Sequence, residues 1–359
     1  MCGGPPWDYV AGMNETGEPM GTGGVAALVA ALPDPTVILD SQGLVLHANR
    51  AAFSLVDTLT PGQPLTHSLR SSALLEALTQ TLSDGQSRRA AYETRGTTPR
   101  QFEAVVAAIA GGGPERATLL VQIRDLTREQ QVERMRADFV ANASHELRTP
   151  LASLTGFIDT LQGAARDDEQ ARTQFLDLMQ AQAARMKRLI DDLLSLSRIE
   201  INEHLKPAAE VELAATVRQA ADLLRPEAEK TGTPLHLDLA TALPIMGARE
   251  ELVQVFYNLI ENALKYGASP RGIEIVARRE GDQAVVSVTD HGPGIAAIHI
   301  PRLTERFYRV SVQDSRSRGG TGLGLAIVKH ILNRHEARLA ITSTVGQGTT
   351  CRVAFPAAE

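Results

Sequence analysis

A histidine beside a glutamate stands near the middle of a helical stretch, in the segment Ser144–Pro150. A carboxylate next to an imidazole can accept one ring N–H, which fixes the tautomer and leaves the other nitrogen free as a nucleophile. His145 and Glu146 fit this arrangement. Pro150 follows five residues after His145, and a proline inside a helix removes one backbone hydrogen bond, here that of the Glu146 carbonyl. A single histidine on a helix is usually a polar surface residue, so the pair needs partners elsewhere in the chain to indicate chemistry.

A second polar group lies on one face of a predicted helix much later in the chain. Asn258 and Asn262 are four residues apart and Lys265 follows three residues on, so the three side chains share a face. Amide oxygens suit Mg²⁺, because it is a hard cation that prefers oxygen ligands and keeps several waters. Taken alone, such a face is more typical of a solvated helix surface.

Two glycine-containing segments could approach a flat or an anionic ligand. Asp290 ends a predicted strand, and Gly292 and Gly294 after it let the backbone come close to a ligand while the carboxylate accepts an amino proton. The segment Gly319–Gly324 precedes an amphipathic run, and backbone N–H groups at a helix start hold phosphates. It is neither the Walker sequence nor the dinucleotide fingerprint that follows a strand. Arg309, between these segments, is suited to neutralising a transferred phosphoryl group.

These segments occur in the order found in sensor histidine kinases of two-component systems, and the chain resembles that family from Arg128 to Pro356. The matching segments are Ser144–Pro150 (the H-box), Asn258–Tyr266 (the N-box), Asp290–Ile295 (the G1 box), Arg306–Arg309 (the F-box) and Gly320–Ala326 (the G2 box). Five ordered motifs are far more specific than any one of them. His291 departs from the family pattern, which usually has asparagine there, so no nucleotide contact is expected of it.

The resemblance implies that ATP and Mg²⁺ bind, and that His145 accepts the γ-phosphate and passes it to an aspartate of a response regulator. Catalytic roles are implied for His145, Glu146, Thr149 and Arg309, with Thr149 acting in a second, phosphatase activity toward the same regulator. Asn262 is the expected metal ligand. The expected nucleotide-binding residues are Asn258, Asn262, Lys265, Tyr266, Asp290, Gly292, Gly294, Gly320, Thr321, Gly322, Leu323 and Gly324. The polar segment Ser311–Arg318 is expected to form a mobile lid over the nucleotide.

The elements that must position these residues are expected in three domains after a flexible tail at residues 1–24. The tail is rich in Gly, Pro and Met and shows no hydrophobic period. Residues 25–127 carry strand signals at Thr36–Leu39, Leu44–Leu46, Phe102–Ile109 and Thr118–Arg124, and helix signals at Asn49–Phe53 and Leu74–Leu82. This order resembles an α+β PAS domain and predicts a sensor. Another small α+β module is the alternative.

Residues 128–204 change to a helical period and predict an antiparallel helical hairpin. The apolar stripes are Phe139, Leu147, Leu151, Leu154, Ile158 and Leu161 on the first helix, and Phe175, Met179, Met186, Leu189, Leu193 and Leu196 with Gln182 on the second. A lone hairpin cannot surround its own core, so a homodimer with a four-helix bundle is expected. Packing against other parts of the same chain is the alternative.

Residues 205–359 alternate helix and strand patterns and predict an ATP-binding domain with helices on one mixed sheet. The predicted helices are Val211–Leu224, Glu250–Leu264 and Leu323–Arg334, and the predicted strands are Leu235–Leu239, Ile273–Ala277, Ala284–Asp290, Arg338–Ser343 and Thr350–Phe355. The family resemblance implies that this α/β sandwich is of the GHKL, or Bergerat, type.

Composition narrows the class further. A net charge of -6 argues against a general nucleic-acid binder. The two cysteines, Cys2 and Cys351, form no disulfide framework and no zinc spacing, which fits a reducing compartment. The apolar stretch Val25–Leu32 is far short of the roughly 20 residues that cross a bilayer. We therefore expect a cytoplasmic protein with no transmembrane segment, with peripheral association with a membrane complex left open.

The order of domains, with Ala141–Ser144 before His145, is similar to that of the phosphate-regulon sensor kinases. This similarity implies a role in phosphate-starvation signalling and an accessory regulatory protein at the PAS domain. Two alternatives stay open: a phosphatase-dominant protein that autophosphorylates poorly, and an ATPase of the gyrase, chaperone and mismatch-repair superfamily. The second class has no reason to carry His145 and Glu146 on a bundle helix.

Overall fold

The computed structural model describes residues 22–93, 100–109, 118–311 and 320–356, in two compact units, Met1–Ala137 and Asp138–Glu359. Of the tail expected at residues 1–24, only the last three are described, and a helix already begins at Thr22. The lid expected at 311–318 lies outside the described residues apart from Ser311.

The first unit contains a five-stranded antiparallel sheet with short helices. Its elements are α1 (Thr22–Ala31), β1 (Thr36–Leu39), β2 (Val45–Ala48), α2 (Arg50–Leu55), α3 (Leu65–Ser68), α4 (Ser72–Asp84), β3 (Arg88–Glu93), β4 (Gln101–Ile109) and β5 (Thr118–Asp125). The strands lie in the order β2-β1-β5-β4-β3, and every neighbouring pair is antiparallel. Val37, Val121 and Ile123 of the sheet share a buried core with Leu65 and Leu74 of the helices. This is the α+β arrangement expected for residues 25–127.

One buried asparagine joins the start of β1 to the start of α2. The Asn49 amide oxygen accepts from the Thr36 N–H at 3.1 Å and from the Ala52 N–H at 2.9 Å, so it caps α2. Its amide nitrogen donates to the carbonyls of Leu32 (3.0 Å) and Asp34 (2.7 Å). All four hydrogen-bonding positions of the amide are used, as burial requires.

The second unit begins within a long helix and continues into a second one. These are α5 (Thr127–Gln162), which starts in the first unit, and α6 (Glu169–Asn202). On α6, Leu189 and Leu196 of the expected stripe are buried in the core of the rest of the second unit, which is the alternative of packing against other parts of the same chain. The other predicted positions are half-buried. Phe157 of α5 contacts Phe175 of α6, with ring centroids 5.6 Å apart.

The stripe expected on α5 is only partly correct. Leu147, Leu154 and Leu161 are half-buried, but Leu151 is 57% exposed and Ile158 is 41% exposed. A single hairpin covers only one side of each helix, so positions that share the wider apolar stripe remain open on the other side.

The rest of the second unit is an α/β sandwich. Its elements are β6 (Glu210–Glu212), α7 (Leu213–Thr231), β7 (Leu235–Leu239), β8 (Pro244–Met246), α8 (Arg249–Gly267), β9 (Ile273–Glu280), β10 (Gln283–Asp290), a 3₁₀ turn (Ile300–Arg302), α9 (Gly324–Arg334), β11 (Arg338–Thr344) and β12 (Gly348–Pro356). The large sheet has the order β11-β12-β10-β9-β7, with β7 and β9 parallel and the other pairs antiparallel. A small sheet pairs β6 with β8.

The three helices α7, α8 and α9 share one buried core with the large sheet. Phe256 of α8 lies 6.3 Å from Phe355 of β12, between ring centroids. Burial alternates along the first half of β9, as in a sheet with one covered face. This confirms the expected mixed sheet with a helical layer. Among the described residues, no helix combines the length and the apolar character needed to span a bilayer.

Candidate functional site

His145 is exposed on α5, within the second unit. The Thr149 hydroxyl, one turn later, donates to the His145 carbonyl oxygen at 3.2 Å. Pro150 is buried, and α5 runs through it to Gln162, so the Glu146 carbonyl loses its helical N–H donor while the helix stays continuous. The His145 imidazole is therefore exposed to solvent, and the adjacent Glu146 carbonyl lacks its helical hydrogen bond.

Glu146 is held by two arginines from different elements. Its carboxylate accepts from Arg185 of α6 at 3.0 Å and from both terminal nitrogens of Arg309 at 3.3 and 3.1 Å. The forked geometry of Arg309 is the stronger kind of carboxylate pairing. Glu146 is expected to accept a proton from the His145 ring. In this conformation its carboxylate instead links the helical hairpin (α5 and α6) to Arg309 of the F-box.

A cavity of about 450 Å³ collects most of the expected nucleotide-binding residues. The residues that line it are Asn258, Asn262, Lys265, Tyr266, Asp290, Gly294, Gly320, Thr321, Gly322 and Gly324, together with Arg309. Gly292 and Leu323 do not line it. Gly292 packs against Gly267, and the Leu323 side chain is fully buried in the core.

Asp290 marks one end of the cavity. Its carboxylate accepts from the N–H of Gly292 at 3.0 Å and from the N–H of Thr349 at 3.2 Å, while burial raises its pKa above the ordinary value. The backbone around it is very close: a Cβ on Gly267 would lie 2.2 Å from the Asp290 carboxyl carbon. Gly294 has φ +67°, and a Cβ there would lie 2.1 Å from the Thr344 carbonyl oxygen. These contacts hold the carboxylate in one place.

The glycine loop Gly320–Gly324 marks the other end. Gly322 has φ +76°, and its carbonyl accepts from the N–H of Phe307, which itself has φ 62°. Helix α9 begins at Gly324, and no side chain among the described residues caps its first turn. Uncapped N–H groups and the positive end of the helix dipole favour an anion at this point.

Helix α8 forms the wall between the two ends. Asn258 is buried, and its amide nitrogen has no hydrogen-bond partner among the residues that the structure describes. Lys265 lies 2.9 Å from Glu261, one turn before it on the same helix. Buried polar atoms without partners are costly, so Asn258 is poised to bond a ligand or water in the cavity.

The oxygen atoms of this wall suit Mg²⁺. Asn258 and Asn262 offer amide oxygens and Glu261 a carboxylate, all of which line the cavity. Within the described ranges, no group of three or more His, Cys, Asp or Glu side chains could hold a metal by itself.

Several cavity residues are not predicted from the motifs. Helix α6 of the hairpin contributes Arg188, Asp191 and Asp192, and β12 contributes Cys351, whose pKa burial raises to about 12. The sequence predicts β12 as a strand, but it gives no indication that Cys351 of this strand lines the cavity. For α6 no sequence signal exists, because the approach of this helix to the glycine loop is a tertiary contact.

Family comparisons match three segments of the chain. Residues 24–126 match the PAS fold, residues 135–202 match the His Kinase A (phospho-acceptor) domain, and residues 247–359 match the histidine kinase-, DNA gyrase B-, and HSP90-like ATPase. The exposed His145 lies in the second segment and the cavity wall in the third.

The chain is 38% identical over 336 residues to the phosphate regulon sensor protein PhoR of Pseudomonas aeruginosa, covering 92% of this chain and 73% of that protein. It is 34% identical over 242 residues to the sensor-like histidine kinase SenX3 of Mycolicibacterium smegmatis, covering 67% of this chain and 63% of the relative. The solved Acinetobacter baumannii histidine kinase AdeS is 24% identical, with a TM-score of 0.48 over 60% of this chain and 98% of that one.

Three observations agree: the sequence identity with PhoR extends over nearly the whole chain, the five motifs occur in the family's order, and residues of four of these motifs line one cavity. The expected α+β PAS domain, helical phospho-acceptor domain and GHKL-type ATP-binding domain are confirmed, as is ATP-dependent histidine kinase activity. The chain belongs to the sensor histidine kinases and is PhoR-like among them.

Proposed function

We propose that Mg-ATP binds in the cavity and that His145 receives its γ-phosphate before passing it to an aspartate of a response regulator. The observation that carries this proposal is a chain of bonds in one compact unit. Glu146, next to the exposed His145, binds Arg309, and Arg309 donates to the Thr321 carbonyl of the glycine loop at 2.9 Å. The phospho-acceptor helix and the phosphate end of the cavity are thus already in contact.

The side chains divide the binding of ATP between the two ends. Asp290 accepts a proton of the adenine amino group, while Lys265 and the N–H groups of the Gly320–Gly324 loop hold the phosphates. Asn262, with Asn258 one turn earlier, would hold Mg²⁺, which supplies charge neutralisation on the phosphates when bound. Tyr266, about one turn beyond Asn262 on α8, also lines the cavity.

In the transfer step a neutral ring nitrogen of His145 attacks the γ-phosphorus in line. The N–P bond forms as the bond from phosphorus to the bridging oxygen breaks, and ADP leaves. Glu146 accepts the proton of the other ring nitrogen, for which Arg309 must first release it. The freed Arg309 guanidinium then faces the charge that develops on the phosphoryl group.

The phosphohistidine is labile and serves as a carrier, so a response regulator aspartate takes the phosphoryl group from it. Thr149 supports the phosphatase activity toward the same regulator. Once its hydroxyl no longer donates to the His145 carbonyl, it can position a water molecule against the regulator's acyl phosphate. We also infer a homodimer through α5 and α6 and an accessory protein at the PAS domain, following the family resemblance.

The relative that is 38% identical over 336 residues is a phosphate regulon sensor protein, and this supports phosphate limitation as the input. In cells, a His145→Gln allele should abolish the response of phosphate-acquisition genes to phosphate limitation. A normal response with that allele would contradict this assignment.

The biochemical test uses purified protein with γ-labelled ATP and Mg²⁺. We expect a base-stable, acid-labile phosphoprotein that disappears in His145→Gln and chases onto a response regulator. His204→Gln is the matched control, because His204 is also exposed and lies outside the site. Acid-stable label, or label retained by His145→Gln, would overturn the proposal.

A further inference from the structure

Helix α6 places a carboxylate directly on the glycine loop. The Thr321 hydroxyl donates to Asp192 Oδ2 at 2.7 Å, and the same hydroxyl accepts from the Leu323 N–H at 3.3 Å. Asp192 lines the cavity beside the residues expected to hold phosphates. An acidic side chain of the hairpin therefore lies where the negative end of a nucleotide is expected to bind.

The electrostatic surroundings make this position unfavourable for a second anion. Asp192 is mostly removed from solvent, and the charged groups that act on it are Glu261 and Lys265 of α8 and Arg188 on its own helix. Burial, and then the charge of Glu261, raise its pKa, whereas the Thr321 hydrogen bond, Lys265 and Arg188 oppose this. A polyphosphate that enters here meets the mostly buried Asp192 carboxylate, where screening by water is weak, whereas the nearby Glu261 carboxylate is paired with Lys265 at 2.9 Å.

The same loop is held by the hairpin at a second point. Arg309 donates to the Thr321 carbonyl at 2.9 Å and binds Glu146, which Arg185 of α6 also holds at 3.0 Å. Thr321 is therefore engaged by its side chain through Asp192 and by its carbonyl through Arg309.

We propose that Asp192 competes with the phosphates of ATP for the glycine loop and so sets the nucleotide affinity of the kinase. This inference rests on the proposed function, because it assumes that the cavity takes ATP. ATP binding displaces Asp192 from Thr321. By linkage, it weakens the hold of the hairpin on the loop and frees Arg309 and Glu146 for the transfer to His145.

The test compares nucleotide dissociation constants by calorimetry on the full chain with Mg²⁺. Asp192→Asn keeps the shape and removes the charge, and we expect ATP to bind about threefold more tightly. Asp192→Ala also removes the hydrogen bond, and we expect a gain of about tenfold, equivalent to about 1.4 kcal/mol. Adenosine, which has no phosphates, should bind the wild type, Asp192→Asn and Asp192→Ala with equal affinity.

Asp177→Asn is the matched control. It removes the same charge from an exposed residue of α6 that does not line the cavity, so less than a twofold change is expected. A double-mutant cycle with Thr321→Val measures the coupling between Asp192 and Thr321 in ATP affinity. A purely structural role of Asp192 would not produce this coupling. The gain from Asp192→Ala should shrink when its partner hydroxyl is absent.

Each outcome has one meaning. Equal or weaker ATP binding by both Asp192 variants overturns the competition, and weaker binding would instead make Asp192 a ligand of the metal. A gain shared equally by adenosine also overturns it, because the phosphates would not be involved. Failure of every protein, wild type included, to bind ATP would refute the proposed function and not this inference alone.

Discussion

At the scale of single residues, the site depends on glycines that permit close approach as much as on polar groups. Gly267, the last residue of α8, has Asp290 against its Cα, and Gly292 packs on it from the other side. Neither contact involves a ligand, yet both determine where the Asp290 carboxylate lies. Gly267 directly follows the N-box, but its role becomes visible only when α8 and β10 are packed together.

We expect Gly267→Ala to weaken ATP binding at least tenfold. The new methyl group would sit 2.2 Å from the Asp290 carboxyl carbon and 2.4 Å from Oδ1, so the acid that accepts the adenine amino proton must move. Calorimetric titration with ATP and the rate of His145 phosphorylation would both report the loss. Gly156→Ala on α5 is the control, because nothing lies within 4 Å of its Cβ position. Unchanged affinity in Gly267→Ala would mean that Asp290 has room to adjust.

At the scale of elements, strand and helix patterns predicted most of the sandwich, and short or polar elements were missed. The helices expected at Glu250–Leu264 and Leu323–Arg334 occur at Arg249–Gly267 and Gly324–Arg334. By contrast, β3 has the sequence RRAAYE, which lacks a β-branched run and becomes a strand only because β4 pairs with it. The three-residue strands β6 and β8 likewise depend on each other.

Motif residues of the site were predicted for a related reason. His145, Asn262 and Asp290 belong to segments whose residue types reflect chemistry, so they can be recognised along the chain. Asp192 acts only because α6 lies beside the glycine loop, and Arg185 only because α6 comes within reach of Glu146 on α5. No local pattern encodes either contact. Residues that belong to local motifs could therefore be predicted from the sequence, whereas residues that depend on tertiary contacts could not.

A buried histidine joins two elements of the sandwich. The backbone N–H of Ala248, the N-cap residue of α8, donates to His335 Nε2 at 3.0 Å, and His335 Nδ1 lies 2.8 Å from the Ile331 carbonyl. A ring that accepts at Nε2 and donates from Nδ1 is neutral. Burial accordingly lowers the pKa of His335 below its ordinary value of 6.5. Helix α8, which carries Asn258 to Lys265, thus starts on a neutral imidazole.

We expect His335→Phe to lower the free energy of unfolding of the ATP-binding domain by about 1–3 kcal/mol at pH 7.5, because the buried Ala248 N–H loses its acceptor, whereas the Ile331 carbonyl keeps the backbone N–H of residue 335. Because the folded-state pKa is lowered, the unfolded chain binds more protons below about pH 6.5. The stabilisation by His335 is therefore complete above that pH and is lost as pH falls toward the lower folded-state pKa.

Urea titrations at pH 7.5 and pH 5.5 would measure this difference. The destabilisation by His335→Phe should be smaller at pH 5.5, with a slope of at most about 1.4 kcal/mol per pH unit. His204→Phe, at an exposed position, controls for the general effect of replacing a histidine. A loss that is equal at both pH values would show that folding does not lower the pKa of His335, because the folded and unfolded states would then bind protons alike.

At the scale of the whole molecule, both helices of the hairpin expose large apolar side chains. They include Leu151 and Ile158 on α5 and Leu176, Ile190 and Leu194 on α6, all at least 41% exposed. Leu151 and Ile158 are seven residues apart, as are the repeated positions of a bundle. The two exposed side chains of the predicted α5 stripe are therefore ones that a second hairpin would cover.

We expect the chain to form a dimer that Leu151→Glu combined with Ile158→Glu converts to a monomer, because two charges would be buried without partners in a four-helix bundle. Sedimentation equilibrium would measure the mass. Leu223→Glu is the matched control, since Leu223 is 58% exposed on α7 of the ATP-binding domain and should leave the dimer intact. The monomeric variant should still bind ATP, because neither Leu151 nor Ile158 lines the cavity. A double variant that remains dimeric would place the interface elsewhere and leave the exposed stripe to another partner.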